Sequence, residues 1–419
     1  MAEMKDSDIR WIGQIPKNWK VIRVKDAFTR KKAKAKQENP VILSLARSGV
    51  KVRDITNNEG QLAENYSDYN PVMVDDLLLN PMDLISGDNC NISRVEGVIS
   101  PAYVNLRYKN GINPEFYNFY FKYQYWCKAF FAYGKGVSFE NRWTLNYDTL
   151  ERFPLILPPI EEQNRIVKFL KGKCAEIDAL HTDIEKQIET LEEYKKSIIT
   201  EAVTKGLDPD VEMKDSAIEW VGMIPKHWNV TKFKYICSVK TNLVNVKKYQ
   251  EYPQISPDNI EKDSGILLNY STVAEAGVIS DNHLFFKGQI LYSKIRPKLN
   301  KVTIAPFNGL CSADMYPIET NENTMFVMYM ILSQYFLNQV SLVTEDRVKM
   351  PKINQEELGV IKIVLPDNIN EQEKIVLYLH QKCQDISKAI EEKKEQLETL
   401  EQYKKSLIYE YVTGKKEVK

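Results

Sequence analysis

The sequence contains no apolar run near the ~18 residues that a membrane span requires. Its opening, MAEMKDSDIRW, has no apolar segment of the signal-peptide kind, so a cytoplasmic protein away from membranes is expected. The six cysteines (Cys90, Cys127, Cys174, Cys237, Cys311 and Cys383) are scattered and form no CxxC pair. That excludes the usual zinc frame and argues against a disulfide scaffold, leaving buried free thiols as the expectation. The four histidines (His181, His227, His283 and His380) show no metal-ligand spacing. No GxxxxGK[ST] string is present, which excludes a phosphate-loop motor. Net charge is also missing, because 57 basic residues balance 57 acidic ones, so nothing global announces nucleic acid. What remains is an ordinary folded composition, 43% hydrophobic and 27% charged over 419 residues, with room for two or three domains.

The chain repeats itself. KDSDIRWIGQIPKNWKVIRVKDAF at 5–28 returns as KDSAIEWVGMIPKHWNVTKFKYIC at 214–237, with Trp11/Trp220, Gly13/Gly222, Pro16/Pro225 and Trp19/Trp228 in register. A second block, residues 173–204, returns at 382–413, each time after a proline-marked entry, LPPIEEQ or LPDNINEQ. A weaker echo pairs Glu140-Asn141-Arg142 with Glu345-Asp346-Arg347. The middles of the two globular parts do not visibly match, so the frame reads as duplicated and the inserts do not. The expected division is a first globular domain at 1–160, a helical spacer at 161–204, a second globular domain at 205–370 and a C-terminal spacer at 371–419.

Both spacers have the a/d spacing of a coiled coil. The expected seam is Leu170, Ile177, Ile184, Ile188, Leu191 and Ile198 in the first and Leu379, Ile386, Ile390, Leu397, Leu400 and Leu407 in the second, interrupted by His181 and Lys393. Pro158-Pro159 with Glu161-Glu162 suits a helix start, Asn370 with Glu373 resembles a capping box, and Gly206 and Gly414 sit where C-terminal caps belong. An amphipathic rod of ~65 Å needs a partner for its stripe. The partner expected is the other rod, in antiparallel register, which would give the chain a pseudo-twofold axis. A parallel pair, or packing of each stripe on its own domain, are the alternatives.

The globular parts read as α/β (α+β), with short strands around Val72–Leu79 and Gly288–Tyr292. Residues 113–133 and 324–340 each read as one aromatic-rich buried helix. Strings that suggest an enzyme fail on inspection. Asn80-Pro81-Met82-Asp83 lacks the second proline and the aromatic of an amino-methyltransferase motif. Pro209-Asp210-Val211-Glu212-Met213-Lys214 has the letters of a nuclease motif, but its carboxylates are too close to come from different strands. No catalytic residues, no metal site and no cofactor are therefore expected in this chain.

Basic strings are the remaining candidates for a site. Residues 1–160 carry 22 basic and 18 acidic residues, residues 205–370 carry 18 and 19, and the helical stretches 161–204 and 371–413 are net acidic. The first string is Arg30, Lys31, Lys32, Lys34 and Lys36; its looser counterpart is Lys294, Arg296, Lys298 and Lys301. Asn141 and Arg142, near Lys135, occupy the place that Arg347, near Lys349, occupies in the second half. Arginine and asparagine can read base edges, whereas lysine mostly holds phosphate, so DNA contact is weighed for each against an ordinary solvated surface.

The repeated WIGQIPKNW and WVGMIPKHW openings, the LPPIEEQNRIV and LPDNINEQEKIV entries and the ETLEEYKKSIITEAVTKG and ETLEQYKKSLIYEYVTGK endings together resemble type I restriction–modification specificity subunits along nearly the whole chain. The resemblance implies two target recognition domains on an antiparallel coiled coil, each reading half of a bipartite site in double-stranded DNA across a fixed gap. It also implies two methyltransferase (modification) subunits as partners, restriction (translocase/nuclease) subunits in the full complex, and S-adenosylmethionine bound by the methyltransferase. A coiled-coil DNA-binding scaffold or regulator with no methyltransferase partner is the competing reading.

Overall fold

The computed structural model describes residues 3–36, 40–46, 49–54, 66–84, 90–136, 143–344 and 351–418. The chain forms two compact units, Met1–Ile184 with Glu395–Lys419, and Glu185–Lys394. Each unit therefore combines a globular part with a segment of both long helices. Among the described residues no single helix is long and apolar enough to cross a membrane.

The first unit runs through β1 (Met4–Asp6), β2 (Gln14–Pro16), β3 (Lys20–Arg23), α1 (Val24–Ala27), β4 (Phe28–Arg30), β5 (Leu43–Ala46), β6 (Gly49–Val52) and β7 (Asn70–Val72). It continues through β8 (Leu77–Leu79), β9 (Cys90–Ile92), β10 (Gly97–Ile99), β11 (Val104–Tyr108), α2 (Pro114–Trp126), α3 (Ala129–Ala132), α4 (Tyr147–Leu150), β12 (Pro154–Leu157) and the start of α5 (Ile160–Lys205). Asn113 caps α2 by accepting from the Glu115 amide, and Pro114 occupies the first turn, where its missing N–H is harmless. The single helix expected over 113–133 breaks at Lys128, which is left-handed (φ 58°), so α3 is a separate turn. Phe116, Tyr117, Tyr120, Phe121 and Phe130 fill the core against Trp19, Phe28 and Phe153.

The second unit follows the end of α5 with β13 (Met213–Asp215), β14 (Met223–Pro225), β15 (Trp228–Lys232), α6 (Phe233–Ile236), β16 (Cys237–Val239), β17 (Leu243–Val244), β18 (Pro253–Ile255), β19 (Ser271–Thr272) and β20 (Asn282–Phe285). Then come β21 (Ile290–Ser293), β22 (Val302–Ile304), β23 (Gly309–Cys311), β24 (Met315–Thr320), α7 (Thr324–Leu332), α8 (Gln334–Val343), α9 (Gln355–Val360), β25 (Lys362–Pro366) and α10 (Ile369–Val412). Here too one expected helix is two. Ser333 adopts an extended conformation (ψ 151°), and α7 and α8 meet at 64°. Helix α7 is buried on nearly every side, which removes the one-sided pattern that would have marked its end.

The inserts share a fold that their sequences conceal. The first unit has an antiparallel sheet in the order β4-β11-β8-β9, and the second has β16-β24-β21-β22. Beside it, β7 pairs antiparallel with β10, and Val98 bridges Ile42 in parallel; in the second unit β20 pairs antiparallel with β23, which runs parallel to β18. Both copies need glycine at the same place: a Cβ on Gly97 would lie 2.5 Å from the Val41 carbonyl oxygen, and one on Gly309 would lie 2.7 Å from that of Pro253. The expectation that only the frame is duplicated is thus corrected. A pleated, half-buried sheet accepts many side chains, so topology outlasts sequence.

A polar pair with one buried member, Asp76 or Gln289, occupies the same place in both units with altered chemistry. In the first unit Asp76 accepts from the Met73 amide (2.9 Å) and pairs with Arg107 through two 2.8 Å bonds. In the second, Gln289 accepts from the Phe286 amide (2.9 Å) and donates to Glu319 (2.8 Å).

Helices α5 and α10 pair in antiparallel register within each unit. In the first, the Phe169 and Tyr411 rings lie 4.5 Å apart and Lys404 Nζ reaches Asp178 at 2.6 Å. In the second, Lys195 Nζ reaches Ser387 Oγ at 2.9 Å, and the end of α5 at Gly206 lies beside Glu371 near the start of α10. Leu170, Ile177, Ile198, Leu379, Ile386, Ile390 and Leu407 are buried; Ile184, Ile188, Leu191, Leu397 and Leu400 are half-buried. The stripes pack on the globular cores as well as on each other, since Leu170 and Leu407 share a cluster with Trp19 and Phe116. Gly206 and Gly414 have positive φ, as capping glycines do (74° and 71°). Helix α10 starts earlier than the proposed capping box: Asn368 accepts from the Asn370 amide, so Asn370 lies in the first turn.

Each globular part is bolted to its helix by one buried glutamine. Gln163 accepts from the Asn113 amide (2.8 Å) and donates to the Pro158 and Gly111 carbonyls (2.8 and 3.2 Å). Gln372 accepts from the Asn323 amide (3.0 Å) and donates to Glu322 and the Pro366 carbonyl (2.7 and 3.2 Å). Asn113 and Asn323 cap α2 and α7, so each glutamine ties the long helix to the core helix of its unit.

Candidate nucleic-acid interface

Both units bring their basic strings to the end of the central strand, β8 or β21. In the first unit the chain leaves β8 at Asn80-Pro81. The Leu145 amide donates to the Pro81 carbonyl (2.8 Å), and the Tyr125 hydroxyl donates to that of Asn80 (2.8 Å). Lys135 and Thr144 exchange backbone bonds of 2.8 and 3.0 Å, closing the base of the segment that carries Asn141 and Arg142. Asn141 and Arg142 lie outside the described residues. The Trp143 indole N–H donates to the Phe131 carbonyl (2.7 Å) and pins the return strand to α3.

The Arg30–Lys36 string approaches the same place. Arg30 ends β4, and its guanidinium lies 4.4 Å from the Tyr147 ring centroid, close after the return strand. The Lys31 amide donates to the Asn105 carbonyl (2.9 Å), so the string leaves the sheet edge directly. Lys32 and Lys36 are exposed, Lys135 is exposed, and Lys34 is ion-paired with exposed Asp68 at 2.8 Å. Such a surface pair is weak enough to open for a phosphate.

In the second unit the Ile353 amide donates to the Lys294 carbonyl (2.9 Å) and the Arg296 amide to that of Pro351 (2.8 Å). Segment 294–296 thus holds the return chain just after Arg347 and Lys349, both of which lie outside the described residues. The Lys294 ammonium sits 5.4 Å from the Tyr316 ring, and Lys352 lies 3.4 Å from Asp314. Arg296 and Lys298 are exposed. Lys301 is not comparable with them, because its ammonium is turned inward onto the Pro257 carbonyl at 2.7 Å, with Asp258 at 3.7 Å. Behind this surface His283 is buried, and its Nδ1 has no hydrogen-bond partner. Burial, with the Lys294 charge nearby, pushes its pKa down and favours the neutral ring.

The two ends correspond, the Leu145–Pro81 contact matching Ile353–Lys294. Segment 81–83, part of what the sequence offered only as a failed enzyme motif, therefore sits where Lys294–Arg296 sits in the second unit. Exposed Met82 joins the interface on this ground; residue type alone gave no signal for it. Burial raises the thiol pKa of Cys127, Cys174, Cys237, Cys311 and Cys383, which makes them poor nucleophiles. Among the described residues no group of three or more His, Cys, Asp or Glu is placed to hold a metal ion.

Each unit carries one copy of the same α/β fold beside antiparallel segments of the two long helices, with basic side chains at the matching sheet end, which defines a tandem-domain protein. The sequence model of the type I restriction modification DNA specificity domain matches this chain twice, over residues 16–190 and 225–399, and the chain belongs to that family. It is 32% identical over 240 residues to the type I restriction enzyme EcoDI specificity subunit of Escherichia coli, covering 54% of each chain. It is 26% identical over 436 residues to the MjaVIII specificity subunit of Methanocaldococcus jannaschii, covering 97% of this chain and 95% of that one. Against a solved chain from work on complex assembly and conformational transition of the type I R-M system, the TM-score is 0.70 at 14% identity, over 95% of this chain and 98% of the other. At that identity the likeness is one of fold.

Proposed function

We propose that this chain is the DNA-reading specificity subunit of a type I restriction–modification complex and has no catalytic site of its own. The observation that carries the reading is the whole-fold duplication, with unlike residues displayed at like sheet ends. Each unit reads one half of a bipartite site in double-stranded DNA, and the stiff helix pair keeps the gap between the halves constant. Two copies of a methyltransferase subunit dock on the frame, and restriction subunits join them. The flipped base and S-adenosylmethionine belong to the methyltransferase, and no cofactor binds this chain. A cytoplasmic location follows from the DNA target.

Reconstitution tests this. The purified chain alone transfers no methyl group and cuts no DNA. Mixed with its methyltransferase subunit and S-adenosylmethionine, it directs methylation to a two-part sequence. Robust turnover by the isolated chain would overturn the non-catalytic reading. Binding to DNA without sequence preference, and without any methyltransferase partner, would favour a scaffold instead.

A further inference from the structure

The two units share one strand register, which matches surface positions that their sequences do not align. Leu79 pairs with Val104 as Tyr292 does with Tyr316, and Arg30 pairs with Leu106 as Val239 does with Ile318. Pro81 therefore matches Lys294, Lys31 matches Lys240, and Asp83 lies where Arg296 lies. The string that begins at Lys31 has its counterpart after Lys240, not at Lys294–Lys301 as its composition suggested.

The two places differ in charge. At the first, both units carry lysine. The Lys31 amide donates to the Asn105 carbonyl (2.9 Å) and the Lys240 amide to that of the matched Pro317 (2.8 Å). Lys240 pairs with exposed Glu319 at 3.1 Å, a surface contact weak enough to open. At the second place aspartate stands against arginine. Phosphates repeat identically along both half-sites, so a position that holds them needs a cation in either unit. Bases differ between half-sites, so a position that reads them is free to change, even in sign. Arginine donates to O6 and N7 of guanine, whereas aspartate accepts from the amine of cytosine.

The backbone at Arg296 points the same way. Among the described residues it is the one arginine with left-handed backbone (φ 46°, ψ 53°). It also precedes a proline, where extended backbone is the rule. A bulky side chain is strained in the left-handed region. The surroundings enforce it. The Arg296 amide donates to the Pro351 carbonyl (2.8 Å), the Leu299 amide donates to the Arg296 carbonyl (2.8 Å), and Pro297 is buried. Buried Asn300 donates from its side chain to the Ile331 carbonyl (3.2 Å). Glycine would meet these demands without strain, so what arginine adds is its side chain. That side chain is exposed, and among the described residues nothing pairs with its guanidinium. Lys294 beside it is engaged over the Tyr316 ring at 5.4 Å. Strain held at a surface where folding gains nothing from it is a mark of function, and a backbone fixed in advance forfeits less freedom on binding.

We propose that Arg296 reads a guanine in the half-site met by the second unit, donating to its O6 and N7 in the major groove, while Lys31 and Lys240 hold phosphate. The proposal rests on the function given above and adds the residue, the base and the position at which the two readers part. The full chain, assembled with the methyltransferase subunit of its own system, is bound to duplexes carrying the site it methylates and single-base variants of that site. The unaltered complex should prefer guanine at one position of one half-site by about tenfold or more. Arg296→Gly, which suits the left-handed backbone, should bring that preference within about twofold and leave the other half-site as it was. Arg296→Asn, which also tolerates this backbone, should do the same, so a folding defect peculiar to one variant cannot mimic the result. Lys240→Ala should instead weaken binding to every duplex alike and reduce its salt dependence. Guanine preferences left intact in both Arg296 variants would overturn the assignment. So would an equal loss of affinity for every duplex by variants of unchanged Tm. An unaltered complex with no sequence preference at all would overturn the functional reading itself, a separate result.

Discussion

Replacing Gln163 with alanine removes three hydrogen bonds at one fully buried point: those to the Asn113 amide and to the Pro158 and Gly111 carbonyls. Each main-chain group left dry and unpaired costs about 1–3 kcal/mol. Water entering the space of the lost side chain recovers part of that, so a net loss of about 3 kcal/mol is expected. For a cooperative unit of this size, at roughly 2–4 °C per kcal/mol, Tm should fall by roughly 6–12 °C. Gln163→Glu should also destabilise, because a carboxylate cannot donate to the two carbonyls. Scanning calorimetry reads the global effect. Hydrogen exchange reads the local one, as loss of protection at the Asn113 amide and along the first turn of α2. A Gln163→Ala protein with Tm within about 1 °C of the parent and unchanged exchange at Asn113 would refute the bolt.

Asp76→Ala strands the Arg107 guanidinium and should cost about 3 kcal/mol in chemical denaturation; a loss below about 1 kcal/mol would show that the pair is dispensable. His283 titrates lower in the folded chain than in the unfolded one, so the unfolded state binds the extra proton. The stability due to its neutral form is present above the ordinary histidine value of about 6.5 and lost as pH falls below it. Tm measured from pH 8 to 5 should thus decline less steeply in His283→Asn, and parallel curves would count against the assignment. Arg142→Ala and Arg347→Ala should each weaken reading of one half-site by about 1–3 kcal/mol, as binding to half-site variants would report. Changes at Lys31, Lys32 and Lys34 should instead weaken binding to all sequences and flatten its salt dependence.

The paired tryptophans and prolines showed the duplication, because the opening hairpins depend on large side chains that few others replace. Trp19 and Trp228 are both buried. The helices were legible through a/d spacing, and their pairing followed from the need to cover two stripes; the antiparallel direction was favoured over a parallel pair, which would cover the stripes equally well. The common fold of the inserts was hidden, since alternating apolar residues satisfy a sheet in many combinations; Gly97 and Gly309 are traces that steric closeness preserved. The break at Ser333 was hidden because α7 is apolar all round. Site residues were the least legible. Composition does not separate Lys298, exposed to solvent, from Lys301, which holds the Pro257 carbonyl, and nothing in Pro81-Met82 marks it as the counterpart of Lys294-Ile295.

The central claim, that two modules read two half-sites across a gap set by the helices, is tested most directly by mapping methylated sites in the genomes of cells carrying the complete system. The parent chain should yield two short specified sequences separated by a fixed unspecified gap. A chain with whole helical turns inserted before Leu207 should yield the same two sequences across an altered gap. An uninterrupted site, or an insertion that changes the bases read, would contradict the account.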